Sequence, residues 1–135
     1  MTDHLGRLID HVELRVADLE ASHRFYGAVL ETLGHRIERK GPYLFCDELA
    51  ISQASGPVSH MHLAFQAASR DEVRAFHAAG LLNGGRDNGG PGERDYHPSY
   101  YGAFVLDPDG NNVEAVTHGP VRRSARSVVV ERTDS

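Results

Sequence analysis

His11, His62 and Glu114 stand 51 and 52 residues apart in a chain of 135. Two imidazoles and a carboxylate suit a divalent first-row metal: zinc, iron(II), manganese, nickel and cobalt all accept such a set. Three protein donors leave positions open for water or substrate, which fits a catalytic centre better than a structural one. The spacings are far too long for a zinc finger. A glutamate on a strand ordinarily faces water, and nine histidines make chance pairings common. The trio gains meaning only from the elements that would position it.

Those elements repeat. Displaced by 51 residues, "HVELRVADLEASHRFY" from His11 lies over "HLAFQAASRDEVRAFH" from His62. His11 falls on His62, Val12 on Leu63, Leu14 on Phe65, Val16 on Ala67 and Phe25 on Phe76. Asp18 falls on Ser69, and each can cap the helix that follows; Ser69 with Glu72 fits a capping box. Each copy reads as a strand, a cap and an amphipathic helix. The chain is therefore expected to form one domain over 1–135, with module one at about 8–56, module two at about 60–118 and a polar tail at 119–135.

In module one the pattern predicts a strand over 8–17, a helix over 19–33 stopped by Gly34, and strands near 35–39, 42–46 and 49–54. Module two should hold a strand at 61–67 and a helix at 70–79 stopped by Gly80. Next comes the glycine- and proline-rich "NGGRDNGGPGERDYHPS", read as a surface loop or mobile lid. It is not a phosphate cradle, since no lysine and helix follow it. A hairpin closes the module: "YYGAFVL", the turn "DPDG" and "NNVEAVT". In the tail, "SVVV" offers an edge strand or a subunit contact.

Side chains alternate along a strand. Val12, Leu14 and Val16 share one face, with His11, Glu13 and Arg15 opposite. Leu63, Phe65 and Ala67 oppose His62, Ala64 and Gln66. Val113, Ala115 and Thr117 oppose Asn112, Glu114 and Val116. If the mostly apolar faces cover the helices, His11, His62 and Glu114 enter a common concavity.

Composition narrows the surroundings. Net charge is −5, which disfavours nucleic acid as a partner. No apolar run is long enough for a membrane span. Without an apolar leader, and with Cys46 as the single cysteine, a cytoplasmic location is expected. Cys46 is read as a packing residue. His4, His23, His35, His60, His77 and His118 are read as surface or boundary residues.

The stretches "IDHVELRVADLEASHRFYGAVL", "MHLAFQAASRDEVRAF" and above all "YYGAFVLDPDGNNVEAV" resemble the vicinal oxygen chelate superfamily of glyoxalase I, bleomycin-resistance proteins and extradiol dioxygenases. The resemblance spans residues 8–118. It implies an α+β fold of two tandem βαβββ modules, forming an open, cup-shaped barrel of mixed sheet with the helices outside. It also implies a homodimer, a small-molecule substrate, and a divalent metal held by His11, His62 and Glu114. Lyase, isomerase or dioxygenase chemistry would follow, with drug sequestration of the bleomycin-resistance type as the alternative. Glyoxalase I-like enzymes add a ligand from the strand that reads "LAISQ" here. Its candidates, Ala50, Ile51 and Ser52, are poor ligands, which argues against glutathione-dependent activity.

Three further residues are candidates. Glu13 shares the His11 face and could transfer protons beside a substrate, unless it forms a salt bridge with Arg15. Tyr101 and His97, where the loop meets the hairpin, are placed as pocket residues. Arg123 in the tail could add a cation.

Overall fold

The computed structural model describes residues 2–134. Module one runs β1 (Val12–Val16), α1 (Leu19–Glu31), β2 (Glu38–Lys40), β3 (Tyr43–Cys46) and β4 (Leu49–Gln53). Module two runs β5 (His62–Gln66), α2 (Arg70–Leu82), β6 (Arg86–Glu93), β7 (Tyr101–Leu106) and β8 (Asn112–Thr117). The expected α+β architecture of two βαβββ modules is what the chain forms. No helix among the described residues is long and apolar enough to cross a membrane.

The repeat is kept to the residue in the helices. Both have 13 residues, and α2 begins and ends 51 positions after α1. Asp18 accepts from the amides of Glu20 and Ala21, and Ser69 accepts from that of Glu72. Glu72 returns a bond to the Ala68 amide at 2.9 Å, a capping box displaced by one residue. Each module folds its sheet alike, in the orders β1-β4-β3-β2 and β5-β8-β7-β6, with the first and last strands parallel.

Two expectations need correction. Gly80 does not stop α2, which continues to Leu82. Gly80 lies where α2 meets β7, and a Cβ there would stand 3.1 Å from Val105. It therefore serves close packing rather than chain reversal. The glycine-rich loop also holds a strand, β6. β6 pairs antiparallel with β7, and its register shifts between Asp87 and Gly89 and again between Gly89 and Gly92. Such bulges accommodate Pro91 on an edge strand.

One apolar cluster spans both modules. Phe25, Tyr26, Val29 and Leu30 of α1 meet Val73 and Phe76 of α2 over Leu14, Ile51, Val105 and Val113 of the sheets. Burying each such side chain contributes about 1.5–3 kcal/mol. A polar lock joins the same surfaces. The buried carboxylate of Asp107, first residue of "DPDG", accepts from the Tyr26 hydroxyl at 2.5 Å, the Asp109 and Asn111 amides, and the Asn111 side chain. Burial, then the Asp107 charge, hold the Tyr26 phenol well above its ordinary pKa.

The two sheets share no strand pairing, so the barrel is not closed within one chain. β1 and β5 are both edge strands. The tail forms neither helix nor strand among the described residues, and Val128, Val129 and Val130 are exposed.

Candidate functional site

Glu114 is the most deeply buried acidic side chain of module two's open face, at 1% exposure. β8 lies between β5 and β7, so both flanks of Glu114 are covered by strand. Register sets Ala64 beside it on β5 and Phe104 on β7. A buried carboxylate needs partners. His62 Nε2 meets Oε1 at 2.9 Å, and the Tyr100 hydroxyl donates a short hydrogen bond to Oε2. Gly102 leaves the room, since a Cβ there would stand 3.0 Å from Oε2. Burial, then the bond to Glu114, raise the Tyr100 pKa far above its usual value, so it remains a donor at neutral pH. His62 stays about half exposed, so one end of the pair opens to solvent.

Tyr100, and not the expected Tyr101, meets Glu114. Tyr101 is buried on the helix side of β7, where the Arg70 guanidinium lies 4.5 Å from its ring centre. A one-residue step along a strand changes the face. His97 does adjoin the site, through Tyr100. Their rings lie 5.3 Å apart, and His97 Nε2 meets His118 Nδ1 at 2.8 Å. His97 Nδ1 faces the Pro98 carbonyl at 2.7 Å and must carry the proton there. His118 is exposed, as a surface residue should be, and joins this aromatic cluster.

His11 lies elsewhere. It precedes β1, is exposed, and its Nδ1 meets Asp10 at 2.6 Å. Among the described residues no three His, Cys, Asp or Glu side chains form a group able to hold a metal. One chain thus brings together two donors of the expected trio, His62 and Glu114. An imidazole nitrogen beside a buried carboxylate, with one side open, fits two positions of a first-row metal's shell. Glu13 takes a hydrogen bond from Ser52 at 2.8 Å and lies 3.3 Å from Arg15 Nε, the ion pair weighed against a catalytic role. Arg123 reaches the Gln66 side chain.

Strand register also identifies the module-one counterpart of Glu114. Ala64 pairs with Glu114, and its repeat equivalent Glu13 pairs with Ala50. Ala50 is therefore the counterpart of Glu114, and it has no donor atom. Module one keeps a carboxylate on the neighbouring strand instead.

The family model of the glyoxalase/bleomycin resistance protein/dioxygenase superfamily matches residues 8–115. The chain belongs to that superfamily. A superfamily protein from Albidiferax ferrireducens T118 has a solved structure 35% identical to this chain, with a TM-score of 0.73 over 81% of this chain and 98% of its own. YqjT of Bacillus subtilis (strain 168), described as uncharacterized, is 36% identical over 78% of this chain and 95% of its own. A glyoxalase I mutant from Zea mays is 26% identical, with a TM-score of 0.59 over 80% of this chain and 45% of its own. Superfamily membership agrees with the two βαβββ modules.

Proposed function

We propose that this protein is a small divalent-metal-dependent enzyme that acts on a substrate with adjacent oxygen atoms. The observation that carries the reading is the buried Glu114, paired with His62 and open on one side. A bound metal would supply Lewis-acid stabilisation of negative charge on the substrate. His62 and Glu114 would hold it, and Tyr100 fixes the carboxylate from behind. His11 completes the donor set if a second copy of the chain supplies it. Its place beside an edge strand of an unclosed sheet, equivalent in the repeat to His62, favours a homodimeric site. Glu13 would arrive with His11, oriented by the Ser52 hydroxyl and Arg15, and would accept the substrate proton. Ala50 speaks against glutathione-dependent glyoxalase chemistry, leaving lyase, isomerase or dioxygenase reactions.

The separation of His11 from the other two donors favours a second reading, a non-catalytic small-molecule binder of the bleomycin-resistance type. Metal analysis decides between them. Tag-free protein purified without chelator, then offered zinc, iron(II), manganese, nickel or cobalt, should bind one ion per chain. Glu114→Gln keeps the shape and the Tyr100 bond, so it should fold normally and lose at least about tenfold in affinity. No stoichiometric metal under any of these conditions would leave only the binder.

A further inference from the structure

A hollow beside the His62–Glu114 pair is walled by Asn88, Gly89, Arg94, Tyr96, Phe104 and Asn112. Asn112 lies opposite His62 in the β5–β8 ladder, and Phe104 lies opposite Glu114 in the β7–β8 ladder. The hollow and the pair are therefore built on the same strands. The Phe104 ring centre is 6.0 Å from that of His62 and 5.4 Å from the Arg94 guanidinium carbon. A single small molecule can reach both.

Arg94 is the unusual member. Every other arginine among the described residues is exposed, and Arg15, Arg39, Arg70 and Arg74 face a carboxylate as well. Arg94 has no carboxylate partner among the described residues, although it is only partly exposed. Its Nη2 donates to the Gly90 carbonyl at 2.7 Å and its Nη1 to that of Glu93 at 3.2 Å. Those two bonds hold the fork in place and leave further N–H groups free. The aromatic face of Phe104 removes water from one side of it. A partly desolvated, pre-oriented guanidinium is suited to bidentate capture of a carboxylate. The Asn88 amide donates to Asn112 Oδ1 at 3.1 Å, which leaves the Asn112 NH2 group for the same ligand.

We propose that the hollow binds a small carboxylate bearing an oxygen on the neighbouring carbon, a 2-hydroxy or 2-oxo acid. Arg94 takes the carboxylate, Phe104 and Tyr96 flank the carbon skeleton, and the second oxygen is turned toward His62 and Asn112. The assignment names the substrate class for the site proposed above and rests on taking the His62–Glu114 pair as its centre. The anchor itself requires no metal.

The test uses the full chain stripped of metal by chelator, with amide chemical shifts followed by NMR. Lactate and mandelate are compared with lactamide and mandelamide, which keep the hydroxyl and lose the charge. Both acids should shift the signals of Asn88, Gly89, Tyr96 and Asn112, and the amides should not. Arg94→Gln should weaken acid binding about tenfold or more, with Arg94→Lys in between. Equal shifts from acids and amides, unchanged binding in a folded Arg94→Gln chain, or no response to either acid at millimolar concentration would overturn the proposal. Should Arg94→Gln fail to fold, the acid and amide comparison on the unaltered chain decides alone. Metal is absent throughout, so failure of the metal site and failure of this one register in different experiments.

Discussion

An alanine at position 102 would set its Cβ 3.0 Å from Glu114 Oε2 and 3.3 Å from Tyr100 Cε1. The carboxylate would have to move, and its two bonds with it. Gly102→Ala should therefore cost about 1–3 kcal/mol in urea denaturation and weaken metal binding alongside. Tyr100→Phe should cost about 1–2 kcal/mol by the same measurement, because Glu114 stays buried with one partner fewer. A cysteine supplies the pH prediction. Burial, then the charges of Asp47 and Glu48, push the Cys46 thiol up to about 11. The thiolate is the reactive form, so alkylation should be slow at neutral pH and its rate should still be climbing as pH approaches 11, where an unperturbed thiol has levelled off. A rate that levels off in the ordinary thiol range would contradict the burial. At this scale the sequence was readable where the repeat or the "DPDGNN" turn fixed the register, as for His62 and Glu114. It was not where two like residues adjoin. "YYG" presents Tyr100 and Tyr101 to opposite faces, and only the pairing of β7 with β8 says which tyrosine meets the carboxylate.

The helices and the first strands were legible because apolar spacing and caps repeat at a fixed interval. β6 was not, since "RDNGGPGE" contains no apolar residue to alternate; its pairing with β7 defines it. Glycine misled for a related reason. Gly80 and Gly85 both permit close approach to Val105, a contact distant in sequence and invisible in local pattern. A Cβ on Gly85 would come within 2.5 Å of Val105 and 2.8 Å of the Gly80 carbonyl. Gly85→Ala should thus destabilise the chain by about 2 kcal/mol or more, whereas alanine at Gly56, where nothing lies within 4 Å, should be nearly neutral. Parallel thermal melts of the two variants would check the contrast.

The two halves follow one plan, and each leaves its first strand, β1 or β5, as an edge. If a second copy supplies His11, mixing the His11→Ala and Glu114→Ala chains should recover metal binding that neither has alone. Random pairing makes half the dimers mixed, each with one intact site, so about a quarter of the normal capacity should return. No recovery in chains shown to have exchanged would mean that the site does not cross between subunits. The joint between the halves has a further consequence, in time rather than space. Tyr26 and Asp107 are 81 residues apart, and their bond can form only after both modules have docked. Closing so long a loop early in folding is entropically unfavourable. Removing the Tyr26 hydroxyl should therefore leave the refolding rate nearly unchanged and accelerate unfolding. Stopped-flow traces would show both limbs. The lock would then govern how long the folded chain survives between openings, while the speed of its assembly is set elsewhere.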